Sequence, residues 1–197
     1  MNLAERRESL LEDGKKGMEE LFPCRMEKLK EEWKQEGLRE QMRGSFMELF
    51  HLWREREGER AVAGSLGICC LRSSIVMRQY RMLLVLCGEE FYLDSHVQES
   101  AWKPAGFFEG FEEDMEILCS GLKKKYPRLC RWEVESVRLF SVEYYYAAIG
   151  KLCKDWKEEI IKWAEESGLR MGERFFLYFG EYRGRGELLD EGKDDVK

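Results

Sequence analysis

Residues 61–104 read AVAGSLGICCLRSSIVMRQYRMLLVLCGEEFYLDSHVQESAWKP, and the fold is decided there. This stretch holds only 8 charged side chains, 4 of each sign, in a chain that is 37% charged. Its apolar residues recur every second position: Leu66, Ile68 and Cys70, then Tyr80, Met82, Leu84 and Leu86. Successive side chains leave a strand on opposite faces, so this period predicts β-structure. Leu83, Val85 and Cys87 make the second face nearly as apolar, and the strand carrying them is expected to be covered on both sides. Strands are predicted near 62–76, 80–87 and 90–94, the last following a Gly88-Glu89 hairpin turn. The longest uncharged run, Ala61–Leu71, has 11 residues. A membrane span needs about 20, so the run reads as buried sheet.

On either side the charge returns and the period changes. Residues 1–60 carry 28 charges (13 basic, 15 acidic), and residues 105–197 carry 36 (16 basic, 20 acidic). Phe22, Met26, Leu29 and Trp33 recur at helical spacing, and Leu38, Met42, Phe46, Leu49 and Trp53 repeat the pattern after Gly37. With Pro23 read as a helix start, helices are expected at 3–12, 22–36 and 38–57. Phe107, Phe111, Met115, Leu118 and Leu122 form another stripe, with acidic residues toward its N-terminal end and Lys123, Lys124 and Lys125 at its C-terminal end, matching the helix dipole. A longer helix is expected from 134 to 166, bent at Gly150 and closed by Gly168. Phe175, Leu177 and Phe179 mark a late strand at 174–180, which must join the central strands to satisfy its backbone groups.

The class is therefore α+β: a small, mostly antiparallel sheet with amphipathic helices and a helical N-terminal part. Residues 1–58 are expected to be a cover or arm, 59–182 the core, and 183–197 a flexible tail. The first segment lacks an apolar signal region, and the seven cysteines are odd in number and irregularly spaced. Both features point to a cytoplasmic protein with free thiols.

Composition also narrows the chemistry. The net charge of −6 argues against general nucleic-acid or anionic-membrane binding. No CxxC occurs, neither of the two histidines has a His or Cys partner at i+4, and adjacent Cys69 and Cys70 would point to opposite faces of a strand. No metal or other cofactor is expected. Gly150-Lys151 lacks the remainder of a phosphate-binding loop. Asp94 and His96, near Cys87 and Ser95, are the only acid, imidazole and nucleophile close together in sequence. His51 reads as a packing or boundary residue of its helix. A basic patch of Lys123, Lys124, Lys125, Arg128 and Arg131 is interleaved with Tyr126 and Trp132, a pattern suited to single-stranded nucleic acid but equally expected at a helix C-terminus.

Arg72 interrupts an otherwise apolar strand, and buried there it would need a carboxylate partner, with Asp94 and Glu181 as candidates. A polar pocket of Arg72, Ser74, Tyr92, Asp94, Glu181 and Tyr182 is the sharper expectation. With abundant Trp and Tyr, an acidic balance and no catalytic motif, the leading expectation is a non-catalytic binder of another protein, such as a bacterial adaptor or immunity-type protein. A small enzyme using the pocket and a nucleic-acid-associated protein using the basic patch are the alternatives. The N-terminal apolar faces also allow a homodimer.

Overall fold

A computed structural model describes residues 3–93, 95–104 and 106–189, and of Tyr92 the backbone alone. These residues form six α-helices and a five-stranded mixed sheet, an α+β fold. The strands are β1 (Ala63–Cys70), β2 (Met82–Cys87), β3 (Val97–Trp102), β4 (Met171–Glu181) and β5 (Gly186–Leu188), in the order β3-β2-β1-β4-β5. β1 pairs antiparallel with β2, Ile68 opposite Leu84, and parallel with β4, Ile68 opposite Phe179. The late strand thus joins the centre of the sheet.

The helices are α1 (Leu3–Trp33), α2 (Glu36–Glu57), α3 (Arg72–Val76), α4 (Phe107–Lys125), α5 (Arg131–Asp155) and α6 (Lys157–Glu166). Two separate helices were expected where α1 runs unbroken through Pro23. Its stripe continues across the proline, with Leu10, Gly14 and Met18 buried ahead of half-buried Phe22. Gly17 serves close approach instead of a break: a Cβ there would stand 2.4 Å from Leu118 Cδ1 on α4. Ion pairs secure the same helix, Arg6 to Glu133 at 2.6 Å and Arg25 to Asp114 at 2.7 Å. The long helix expected at 134–166 is interrupted at Trp156, and not at Gly150. Gly150 faces the sheet, where a Cβ would come within 3.1 Å of the Phe179 ring.

Three strand expectations are corrected. The first strand ends at Cys70, and 72–76 is helical. Continued as a strand, Arg72 and Ser74 would follow Leu66, Ile68 and Cys70 onto the helix-covered face, where an arginine is costly. The segment 91–93 is a 3₁₀ turn, and β2 pairs instead with β3, a polar edge strand without apolar alternation. Finally β5 and Leu189, which donates to the Leu177 carbonyl at 2.8 Å, lie inside the stretch expected to be a tail. Residues 190–197 lie outside the described residues.

The two sheet faces are covered differently. Leu66, Ile68, Met82, Leu84, Leu86, Leu177 and Phe179 belong to one large core with the buried residues of all six helices. The other face holds a small cluster of Cys69, Val85, Cys87 and Tyr178, and among the described residues no α-helical residue joins it. Among the described residues its cover is a single layer of half-buried side chains: Leu83, Phe91, Val97, Phe176 and Tyr182. Coverage of β2 on both sides is thus achieved with helices on one side and loose side chains on the other.

Candidate functional site

β1 and β4 run in parallel and end together at Cys70 and Glu181. The chain turns into α3 after β1 and into the β4–β5 hairpin after β4, so side chains from both turns meet at that end of the sheet. Arg72, the first residue of α3, donates from Nε to Glu181 Oε1 at 2.9 Å, and its Nη2 lies 3.4 Å from Glu143 Oε1 on α5. These side chains line a cavity of about 620 Å³ with Cys70, Tyr146, Arg185 and Glu187. Burial, reinforced by the nearby Glu181 charge and opposed by Arg72, holds the Glu143 carboxyl above the usual carboxylate range. Burial also raises the Cys70 thiol, so it stays protonated at neutral pH and is no activated nucleophile. The Tyr146 hydroxyl lies 3.3 Å from the Leu71 carbonyl.

Across the hairpin, on the helix-free face, lies a second cavity of about 540 Å³. Phe91, Phe176, Tyr178 and Leu188 form its apolar floor, with Glu181, Arg183 and Glu187 at the margin. Phe91 has a left-handed φ of 57°, and its ring lies 5.5 Å from Phe176 and 5.1 Å from Tyr178. The Tyr178 ring in turn covers Gly67, where a Cβ would come within 2.1 Å of it.

Of the residues expected to form one polar pocket, Arg72 and Glu181 meet. Arg72 is exposed (60% of its side chain), so the expected buried strand arginine is instead a surface ion triad. Ser74 is turned away, its Oγ accepting the Arg81 N–H at 2.6 Å and fixing the turn into β2. Tyr182 lines the margin of a smaller cavity with Arg72 and Ser73, but its hydroxyl bonds Glu99 at 2.5 Å on the helix-free face. Asp94 and the Tyr92 side chain lie outside the described residues. Of the other residues expected near Asp94, Cys87 is buried in the sheet, and His96 Nε2 lies 3.5 Å from Glu57 of α2. Among the described residues no group of three His, Cys, Asp or Glu side chains is placed to hold a metal.

The basic patch sits on the α4–α5 turn, with Lys123, Lys124 and Lys125 in the last turn of α4, Arg128 in the loop and Arg131 opening α5. Lys125 pairs with Asp13 of α1 at 2.6 Å, and Tyr126 is buried with its hydroxyl on the same carboxylate. Among the described residues no helix is long and apolar enough to cross a membrane. Trp33, Trp53, Trp102 and Trp163 are core residues, and Trp132 is 44% exposed. The tryptophan content therefore mostly builds the core.

No family model matches the chain, nor does any curated protein or solved structure. The site is read from its own chemistry. Sequence reasoning missed Glu143, although it is the only charged residue between Arg138 and Lys151. The logic that singled out Arg72 applies to it equally: a lone charge in an apolar run faces a partner or a cavity.

Proposed function

We propose that this protein acts by binding another protein, docked on the helix-free face of its sheet. The observation that supports this reading is the unequal covering of the sheet. All six helices bury their apolar residues on one side, while the rings of Phe91 and Phe176 and the exposed side chain of Leu188 border an apolar cavity on the other. An apolar centre with charged residues at its rim is how protein interfaces are commonly built. The catalytic alternative draws less support, because the Cys70 thiol is held protonated and His96 lies beside Glu57 instead of at the cavity.

The test is affinity capture from the native lysate with the wild-type chain and with Phe176→Glu, followed by reconstitution of any captured partner from purified components. The expected result is a partner held by the wild-type chain and weakened at least about tenfold by the variant, a difference of roughly 1.4 kcal/mol. The variant's thermal midpoint serves as the folding control. Equal retention by both proteins, or no partner that survives reconstitution, removes the proposal.

A further inference from the structure

We propose that the outer edge of β5 receives an extended segment of the partner, in which apolar and basic side chains alternate. The inference rests on the protein-binding reading and names where and how the partner would dock.

The phase of the hairpin sets which backbone groups are free. Glu181 N–H donates to the Arg185 carbonyl and Leu189 N–H to the Leu177 carbonyl, each at 2.8 Å. In an antiparallel ladder the hydrogen-bonded positions alternate, so residues 185, 187 and 189 turn their backbone groups toward β4. Gly186 and Leu188 therefore direct their N–H and C=O groups outward, away from the sheet. Strand order places β5 at the edge, and all three of its residues are exposed. The opposite edge is treated differently: α2 lies against β3, and Arg56 donates to the Val97 carbonyl at 2.9 Å. Sheet edges left open are templates for pairing.

An added strand would send successive side chains to opposite faces. On the helix-free face they meet the apolar cavity of Phe91, Phe176, Tyr178 and Leu188. On the helical face they meet the polar cavity, whose charged lining is Glu143, Glu181 and Glu187 against Arg72 and Arg185. The Arg72 guanidinium is already shared between Glu143 and Glu181, so the lining accommodates one more positive charge. Apolar residues for one face and lysine or arginine for the other complement the two cavities. Glu143, which shares its one counter-charge with Glu181, would gain a second.

The probe is a capped octapeptide of alternating leucine and lysine, with the leucine–glutamate peptide as its charge-inverted control. Titrated into ¹⁵N-labelled protein, the lysine peptide should shift the amides of Gly186 and Leu188, with a Kd on the order of 100 μM for a few backbone bonds and two side-chain contacts. The glutamate peptide should bind at least about tenfold more weakly. Leu188→Pro deletes an outward donor without touching the β4 ladder, a substitution edge strands tolerate, and should abolish the shifts with little change in thermal midpoint. If that variant fails to fold, Glu187→Arg serves instead, and should reverse the preference between the peptides. Equal binding of both peptides, or unchanged binding to Leu188→Pro, overturns the inference. So does a wild-type dimer that Leu188→Pro dissolves, since a second copy would then occupy the edge. A natural partner lost by Phe176→Glu but retained by Leu188→Pro would leave the protein-binding reading standing and remove this one alone.

Discussion

Leu66, Ile68, Leu84 and Leu86 lose all solvent contact beneath helices, whereas Val85 and Cys87, on the other face of the same sheet, lose it beneath a few side chains. Equal burial is thus reached by unequal means. A helix layer supplies depth, so a residue such as Phe46 has rings of Phe50, Trp102 and Trp163 around it at 6.0–6.3 Å. A single layer of side chains seals the strands but leaves its own outer surface in water. Burial of strand residues on both faces therefore does not mean that two structural layers exist, and the thinner cover leaves apolar area for a partner.

The largest expected effect puts that contrast to the test. Phe46→Ala should cost about 3–5 kcal/mol, the usual range for emptying a fully buried aromatic site. Phe176→Ala, at a half-buried site, should cost only about 1 kcal/mol. Urea unfolding of the two variants measures both. If Phe176→Ala proves as damaging as Phe46→Ala, the helix-free face is a second core and the case for docking there collapses.

A smaller effect compares ion pairs in the two regions. Arg138, with 4% of its side chain exposed, holds Glu112 through Nη1 and through Nη2 at 2.9 Å, and Tyr80 bonds the same carboxylate. Burial works against this carboxylate, yet the Arg138 and Tyr80 hydrogen bonds prevail and keep its pKa below the usual range. Arg138→Met would leave that carboxylate only Tyr80 and the more exposed Arg78, 3.4 Å away, and should cost about 2–3 kcal/mol. Arg72→Met removes an exposed triad and should cost less than about 1 kcal/mol. Differential scanning calorimetry would rank the pair. A loss from Arg72→Met as large as that from Arg138→Met would make the triad a structural fastening and not part of a receptor.

How legible the molecule is in its sequence follows the same division. The α+β class, α2, α4, β2 and the core of β4 are readable because their burial is periodic: Leu38 to Trp53 on one helical face, Met82 to Leu86 on one strand face. The unity of α1 is hidden because Gly14, Gly17 and Pro23 look like punctuation, and only contact with Val137 and Leu118 explains the two glycines. β3 and β5 are edge strands with one neighbour each, so register and not hydrophobicity holds them, and they leave no alternating pattern to read. Arg72 and Glu181 were identifiable as charges beside apolar strands. Their meeting with Glu143 depends on how α5 crosses the sheet, which no local pattern encodes.

The smallest expected effect is a set of titrations, and it contrasts the carboxylates that fasten the helices with the one at the cavity. Arg6 and the Cys130 backbone N–H hold Glu133 below the usual range, and Lys125 and Tyr126 do the same for Asp13. Glu143 lies above it, through burial and the charge of Glu181. The two sets act on stability with opposite sign. Asp13, Glu112 and Glu133 bind protons more weakly when folded, so their contribution is complete above the ordinary carboxylate pKa of about 4 and is lost as pH falls through their lowered values. Glu143 binds its proton more tightly when folded, so its contribution is complete below that ordinary value and is lost as pH rises through its raised one. Side-chain carboxyl ¹³C shifts followed against pH should separate Glu112 and Glu133 from Glu143 on opposite sides of the ordinary range. Glu181→Gln should bring Glu143 down by removing a like charge, and Arg72→Met should push it further up by removing the opposite one. A Glu143 curve unmoved by both substitutions would mean that burial alone sets its proton affinity, and that the three side chains do not act together as a receptor for positive charge.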